Sequence, residues 1–144
     1  MSRATTTFAR WAAATAMIVA VSVGCRAAPN PAPGTGAKEA AQAFAEAIVA
    51  KDWPRAYALL SAESNGKIGA DQFVWLAQQY RAGLGFEPFT AHVTACEEHG
   101  REAIAHVTLT GKGPHRSRFK DALTLRSVGA DWGVVLAANF GRPR

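Results

Sequence analysis

An α+β domain, with helices first and a four-stranded antiparallel sheet after them, is the fold class this 144-residue sequence predicts. Before Gly85 the apolar residues recur at three- and four-residue spacing, the period of an amphipathic helix. After Gly85 they alternate with polar residues, the period of a half-buried strand. The alternating runs are short, and turn residues (E-E-H-G-R, G-K-G-P-H, V-G-A-D) separate them, which describes an antiparallel meander with one buried face. Helices in a block, then strands in a block, is the α+β order.

The chain opens with Arg3 and Arg10 and no acidic residue. Trp11 to Val23 is then an unbroken run of apolar and small residues, closed by Gly24-Cys25. Such a run is too short to span a bilayer and fits the core of an export signal, roughly 7–15 residues. Residues 1–24 are expected to be a signal peptide. Arg26 to Gly36 (R-A-A-P-N-P-A-P-G-T-G) carries three prolines and two glycines, which support neither helix nor sheet and make an extended spacer. The folded domain is expected over 37–144.

Ala37 to Lys51 is alanine-rich, and Ala40, Ala41, Phe44, Ala47 and Ile48 share one face, so a first helix is expected there. Asp52 is placed to cap a second helix, with Pro54 in its first turn, where a missing N–H does no harm. Its apolar residues are Ala56, Tyr57, Leu59 and Leu60, and S-A-E-S-N-G-K (Ser61 to Lys67) is expected to break it. A third helix follows Gly69, with Phe73, Leu76, Ala77, Tyr80 and Leu84 as its buried stripe and Gly83 and Gly85 ending it. In the strands, Phe89, Ala91, Val93 and Ala95 are expected inward on the first. Ala103, Ala105, Val107 and Leu109 face inward on the second, Phe119, Leu123 and Leu125 on the third, and Trp132, Val134 and Leu136 on the last.

The formal net charge of +5 falls to +3 once Arg3 and Arg10 leave with the signal. Part of the excess clusters at Lys112, Arg116, Arg118, Lys120 and Arg126. An anionic partner such as lipid headgroups or nucleic acid would use such a cluster. Lys and Arg also guard exposed strand edges, and no interleaved aromatic residues accompany the charge, so nucleic acid is not expected as a partner. Cys25 and Cys96 are the two cysteines. If Cys25 carries lipid at the end of the signal, Cys96 has no disulfide partner. Glu97 and Glu98 beside it oppose thiolate formation.

The positive start, the apolar run and the closing Gly24-Cys25 resemble the lipobox of bacterial lipoproteins, with Ser22 where that family favours an aliphatic residue. The resemblance implies lipid on Cys25 and an extracytoplasmic, membrane-anchored location, with 25–36 as anchor and tether. A second resemblance covers about Lys38 to Leu136. A-A-Q-A-F-A-E-A-I-V-A-K-D-W-P-R-A-Y-A-L-L-S, then G-A-D-Q-F-V-W-L and D-W-G-V-V-L, resemble the opening helices and final strand of the nuclear transport factor 2-like, or cystatin-like half-cone, superfamily. That implies helices packed on a curved sheet, with a pocket between them. Phe44, Trp53, Tyr57, Phe73 and Tyr80 are the candidate pocket residues, and Phe44, Trp53, Phe73 and Trp75 are large enough to fill it. Some superfamily members are isomerases, cyclases or dehydratases; many others bind or dimerise without catalysis, so fold alone does not choose.

Asp121 is the one catalytic candidate. It shares the parity of Phe119, Leu123 and Leu125, and a carboxylate on the apolar side would serve as a general base. No histidine shares that side, so Asp121 is expected instead at the sheet rim, paired with Arg101 or Arg118. His92 and His106 are expected outward and directly opposite each other, with Cys96 on the same face. Two histidines fall short of the three or four ligands of a zinc site, so neither metal nor other cofactor is expected. The role that follows is a lipid-anchored, non-catalytic binding or interaction module of the cell envelope. It would hold a small apolar ligand or an envelope protein, or form a homodimer through the sheet face. The alternative is a small cofactor-free isomerase, cyclase or dehydratase using Asp121.

Overall fold

The computed structural model describes residues 35–113 and 117–142. The proposed signal peptide, Cys25 and most of the spacer therefore lie outside the described residues, as do His115 and Arg116. Four helices, α1 (Ala37–Ala50), α2 (Trp53–Ala58), α3 (Ala62–Lys67) and α4 (Ala70–Ala82), precede four strands, β1 (Pro88–His99), β2 (Glu102–Gly111), β3 (Arg118–Val128) and β4 (Asp131–Val135). The strands form one antiparallel sheet in the order β1-β2-β3-β4. The fold is the α+β arrangement the periodicities call for.

α1 lies across the sheet and touches all four strands. Alanine makes this possible: Ala37, Ala41, Ala45 and Ala47 are buried, letting the backbone approach while Phe44 and Ile48 fill the space beyond. With Phe73, Val93, Val107, Leu109, Leu125 and Val134 these side chains form one core. Leu76 and Leu123, expected within it, are half-buried, Leu123 packed against its margin. α1 has no basic residue in its last turn. The buried Arg81 of α4 takes that place, donating from Nη1 to the carbonyls of Ile48 and Val49 at 2.8 Å each and pairing through Nη2 with Glu87. A cation at a helix C-terminus is favoured by the helix dipole as well as by its hydrogen bonds. Asp52 caps α2 as expected, accepting from the Arg55 N–H at 3.2 Å.

The expected break at Ser61 to Lys67 ends α2 but is itself helical. Ser61 becomes an N-cap, accepting from the Ser64 N–H at 3.3 Å, so the polar composition read as a loop starts a helix instead. Just before it the chain runs alongside β4. The Ser61 N–H donates to the Val134 carbonyl (2.8 Å), and the Val134 N–H donates to the Leu59 carbonyl (2.9 Å). This short parallel bridge covers the open edge of β4. Gly133 is what permits it, because a Cβ there would lie 2.6 Å from the Ser61 Cα.

The other sheet edge is covered differently. β1 shifts register between Val93 and Ala95, the mark of a β-bulge. Gln42 of α1 sits beside it, donating from Nε2 to the Ala91 carbonyl (2.9 Å) and accepting at Oε1 from the Val93 N–H (2.8 Å). A side-chain amide thus serves the edge strand as a neighbouring strand would.

The bulge corrects three expectations. Beyond it the inward positions of β1 move from odd to even numbers, so Ala95 is exposed and Cys96 turns toward the core. His92 faces Thr108 and His106 faces Ala95, so the two histidines are not opposed. Cys96 does not share their face. A second shift between Pro88 and Thr90 leaves Phe89 out of the core, 61% exposed, with the Lys112 ammonium 5.4 Å from its ring centre.

Candidate functional site

The parity argument holds on β3, where no bulge intervenes: Phe119, Asp121 and Leu123 face the helices opposite Leu109, Val107 and Ala105. Together with α4 and the end of β4 they enclose a cavity of about 180 Å³. Phe44, Leu84, Phe119, Leu123 and Val134 give its apolar lining, and Tyr80, Asp121 and Arg142 its polar one. Tyr80 Oη donates to Asp121 Oδ2 at 2.8 Å, and Asp121 Oδ1 accepts from the Ala122 N–H at 3.0 Å. Asp121 is half-buried in the cavity wall, which corrects its expected place at the rim. Among the described residues no ion pair joins it to Arg101 or Arg118. Arg118 is exposed at the start of β3, and Arg101 stands at the hairpin, where its carbonyl accepts from Ser127.

The residues expected to share a pocket are divided. Phe44 and Tyr80 line the cavity with Asp121. Phe73 lies beneath it, fully buried, and Tyr57 packs on Phe73 with ring centres 5.7 Å apart while donating its hydroxyl to the Ile68 carbonyl (3.0 Å). Trp53 lines a separate polar recess with Lys51, Gln78, Arg81 and Glu87. Trp75, a candidate to fill the pocket, points outward and is 58% exposed.

A residue absent from the sequence expectations fills part of the space. The segment 137–142 folds back after β4 and inserts Phe140, whose ring stacks on Tyr80 (4.8 Å, 17° between planes) and lies parallel to Phe73 (6.3 Å, 1°). Phe119 meets Tyr80 edge-on at 6.3 Å. Offset stacks and edge contacts of this kind are the favoured aromatic geometries. The sequence signal was a lone Phe in A-A-N-F-G-R, too short for any periodicity.

Charge elsewhere is locally matched. Arg126 pairs with Glu102 (2.8 Å) and with Glu63, which also holds Lys67, so one end of the expected basic cluster is neutralised. Lys67 and Arg126 hold the Glu63 carboxyl below its ordinary range. Partial burial, then Glu98 and Glu39, push the Cys96 thiol up, away from reactivity. Among the described residues no group of three or more His, Cys, Asp and Glu gathers where a metal would bind. The start of the domain is fastened at the turn end of the sheet: the Thr35 hydroxyl donates to Glu98 (2.8 Å) and accepts from Trp132 Nε1 (2.9 Å). Asp121 stands seven residues from Val128 along β3, which at strand rise is roughly 23 Å from that end.

No protein-family model matches the chain, and no curated protein matches it significantly. Among solved structures it is similar to a putative NTF2-like transpeptidase from Campylobacter jejuni, at 10% identity and a TM-score of 0.54, over 69% of this chain and 96% of that one. It is also similar to a SEC-C motif containing protein from Rhodopseudomonas palustris (14% identity, TM-score 0.46, 63% and 68% of the two chains). A de novo designed protein with a curved β-sheet matches at 20% identity and a TM-score of 0.46, over 68% and 92%. The first of these likenesses identifies the fold as NTF2-like: helices packed on a four-stranded antiparallel sheet.

Proposed function

We propose that this chain is a lipid-anchored, extracytoplasmic binding or interaction module of the cell envelope, without catalysis of its own. Export would remove residues 1–24, lipid would join Cys25, and 25–36 would hold the domain off the bilayer. The observation that carries the binding reading is the concave cavity at Tyr80 and Asp121, with apolar walls and one anchored carboxylate, the composition of a small-molecule site. The Thr35 fastening supports an orientation: an anchored domain would turn its turn end to the membrane and the cavity away from it. Ligand would then arrive from the aqueous side. The outward sheet face, where Ile104 is 42% exposed, is the surface offered to a second copy or an envelope partner.

One observation favours the alternative, a cofactor-free isomerase, cyclase or dehydratase. Asp121 faces the cavity 2.8 Å from a tyrosine hydroxyl, and a carboxylate with a phenol beside it is a usable base and hydrogen-bond donor. Against it, no histidine lines the cavity among the described residues.

The anchor is tested by expressing the chain with its first 24 residues and following it into the detergent phase. Wild type should partition there with diacylglyceryl mass on Cys25, and Cys25→Ser should not. A soluble wild-type chain beginning elsewhere removes the anchor from the account.

A further inference from the structure

We propose that segment 137–142 is an internal stand-in for the ligand. Phe140 fills a slot shaped for a planar aromatic ring, and a small aromatic molecule bearing a hydrogen-bond donor takes that slot when the segment moves aside. The inference rests on the binding reading above and adds to it a ligand class and a gate.

Phe140 borders three separate spaces. They are the 180 Å³ cavity at Asp121, an apolar void of about 20 Å³ behind it against Phe44, Ile48 and Val107, and a 220 Å³ groove between α3, α4 and β4. Each is smaller than the roughly 300–1,000 Å³ of small-molecule sites. Phe140 lines all three, so removing its side chain enlarges the space beside Asp121 toward that size. The slot is flat because the Tyr80 and Phe73 rings beside it run nearly parallel to the Phe140 ring. At its edge stands Asp121, hydrogen-bonded to Tyr80, as an acceptor for a ring substituent.

The segment is held differently from the core around it. Phe44 and Phe73 are 2% and 0% exposed, whereas Phe140 is half-buried. Among the described residues its backbone hydrogen bonds are internal, from the Phe140 N–H to the Ala137 carbonyl (3.0 Å) and from the Arg142 N–H to the Asn139 carbonyl (3.1 Å). Among the described residues, the last backbone hydrogen bond tying the chain to the body before this segment is the Leu136 N–H on Ser64 Oγ (2.9 Å). Segments with few non-local bonds open well below the cost of global unfolding. Gly141 passes so close to α4 that a Cβ would lie 2.3 Å from the Leu76 carbonyl oxygen, and its φ of +70° disfavours other residues besides. One methyl group there unseats the strap.

The test uses the full chain and three probes: 4-methylphenol, toluene and methylcyclohexane. Phe140→Ala should bind 4-methylphenol about tenfold more tightly than wild type, one pK unit in affinity. Methylcyclohexane should bind more weakly, and adding Asp121→Leu, which removes the acceptor, should abolish the preference for 4-methylphenol over toluene. Gly141→Val should gain the same affinity with the Phe140 ring still in the chain. A folded Phe140→Ala that binds no tighter than wild type, or holds methylcyclohexane equally well, overturns the proposal. If both variants unfold, wild-type hydrogen exchange decides. The Phe140 and Arg142 amides should exchange about 100-fold faster than that of Val134, and faster still with 4-methylphenol. Equal protection overturns the strap. A wild-type chain that holds an envelope ligand while those amides stay protected refutes the strap and leaves the binding reading standing.

Discussion

Replacing Gln42 with leucine should destabilise the domain more than replacing it with alanine, although leucine restores more apolar surface. The reason lies in what each leaves at the edge of β1. Gln42 holds the Val93 N–H at 2.8 Å and the Ala91 carbonyl at 2.9 Å, and Val93 is buried. Leucine has similar bulk, so it keeps water out while removing both partners. A buried backbone group left unsatisfied costs about 1–3 kcal/mol, and two together put Gln42→Leu at about 2–6 kcal/mol. Alanine opens a path for water, which restores part of each hydrogen bond, and it is also the better helix former. Gln42→Ala should therefore cost about 1–2 kcal/mol. Gln42→Glu keeps an acceptor for Val93 but aims a carboxylate at the Ala91 carbonyl and at Glu46, now 2.9 Å from the amide nitrogen, so its loss should shrink as pH falls through the carboxylate range. Urea unfolding of residues 25–144, with unchanged denaturant slope, measures all three. A Gln42→Leu chain as stable as wild type, or more stable than Gln42→Ala, would falsify this account of the β1 edge.

Gly133→Ala should cost at least about 1–3 kcal/mol, because the methyl strikes backbone at Ser61 and not a side chain that can swing away; wild-type stability in the same unfolding experiment would refute the close approach. The Glu63 carboxyl, held down chiefly by Lys67, contributes stability that is present above its unfolded pKa and lost as pH falls through its lower folded value. Lys67→Ala should raise the Glu63 titration midpoint seen by carbon-13 NMR, and an unmoved midpoint contradicts the assignment. Cys96, with its thiol pushed up by burial and two glutamates, should alkylate with iodoacetamide at neutral pH more slowly than a free thiol in a peptide; equal rates would place it outside the core margin.

The helices were legible because α1 and α4 each bury a stripe at helical spacing, and such a stripe survives any detail of the sheet. β3 was legible for a related reason: without a bulge, parity carries Asp121 to the inner face from Phe119 and Leu125 alone. β1 was not. One extra residue beside Val93 reverses the parity of everything after it, and neither Thr94 nor its neighbours carry a glycine or proline to announce the change. The error then spread to the paired histidines and to Cys96. Gln42 could not be singled out, since a glutamine in an alanine-rich helix reads as solvent-facing. Phe140 escaped because its place depends on Tyr80 and Phe73, residues far away in sequence whose separation in space exists only after folding. Asp121 was placed on the right face and given the wrong surroundings: strand parity says which side a carboxylate faces, not what a segment folded back from beyond β4 encloses around it.

The most direct test is native mass spectrometry of the intact chain, extracted in mild detergent from the envelope that carries it. The account predicts a small molecule bound to wild type, and at least a tenfold lower bound fraction in Tyr80→Phe and Asp121→Asn, since roughly 1.4 kcal/mol lost at the cavity suffices for that. A wild-type chain extracted with nothing bound, or a bound species that both variants retain undiminished, would contradict binding through this cavity.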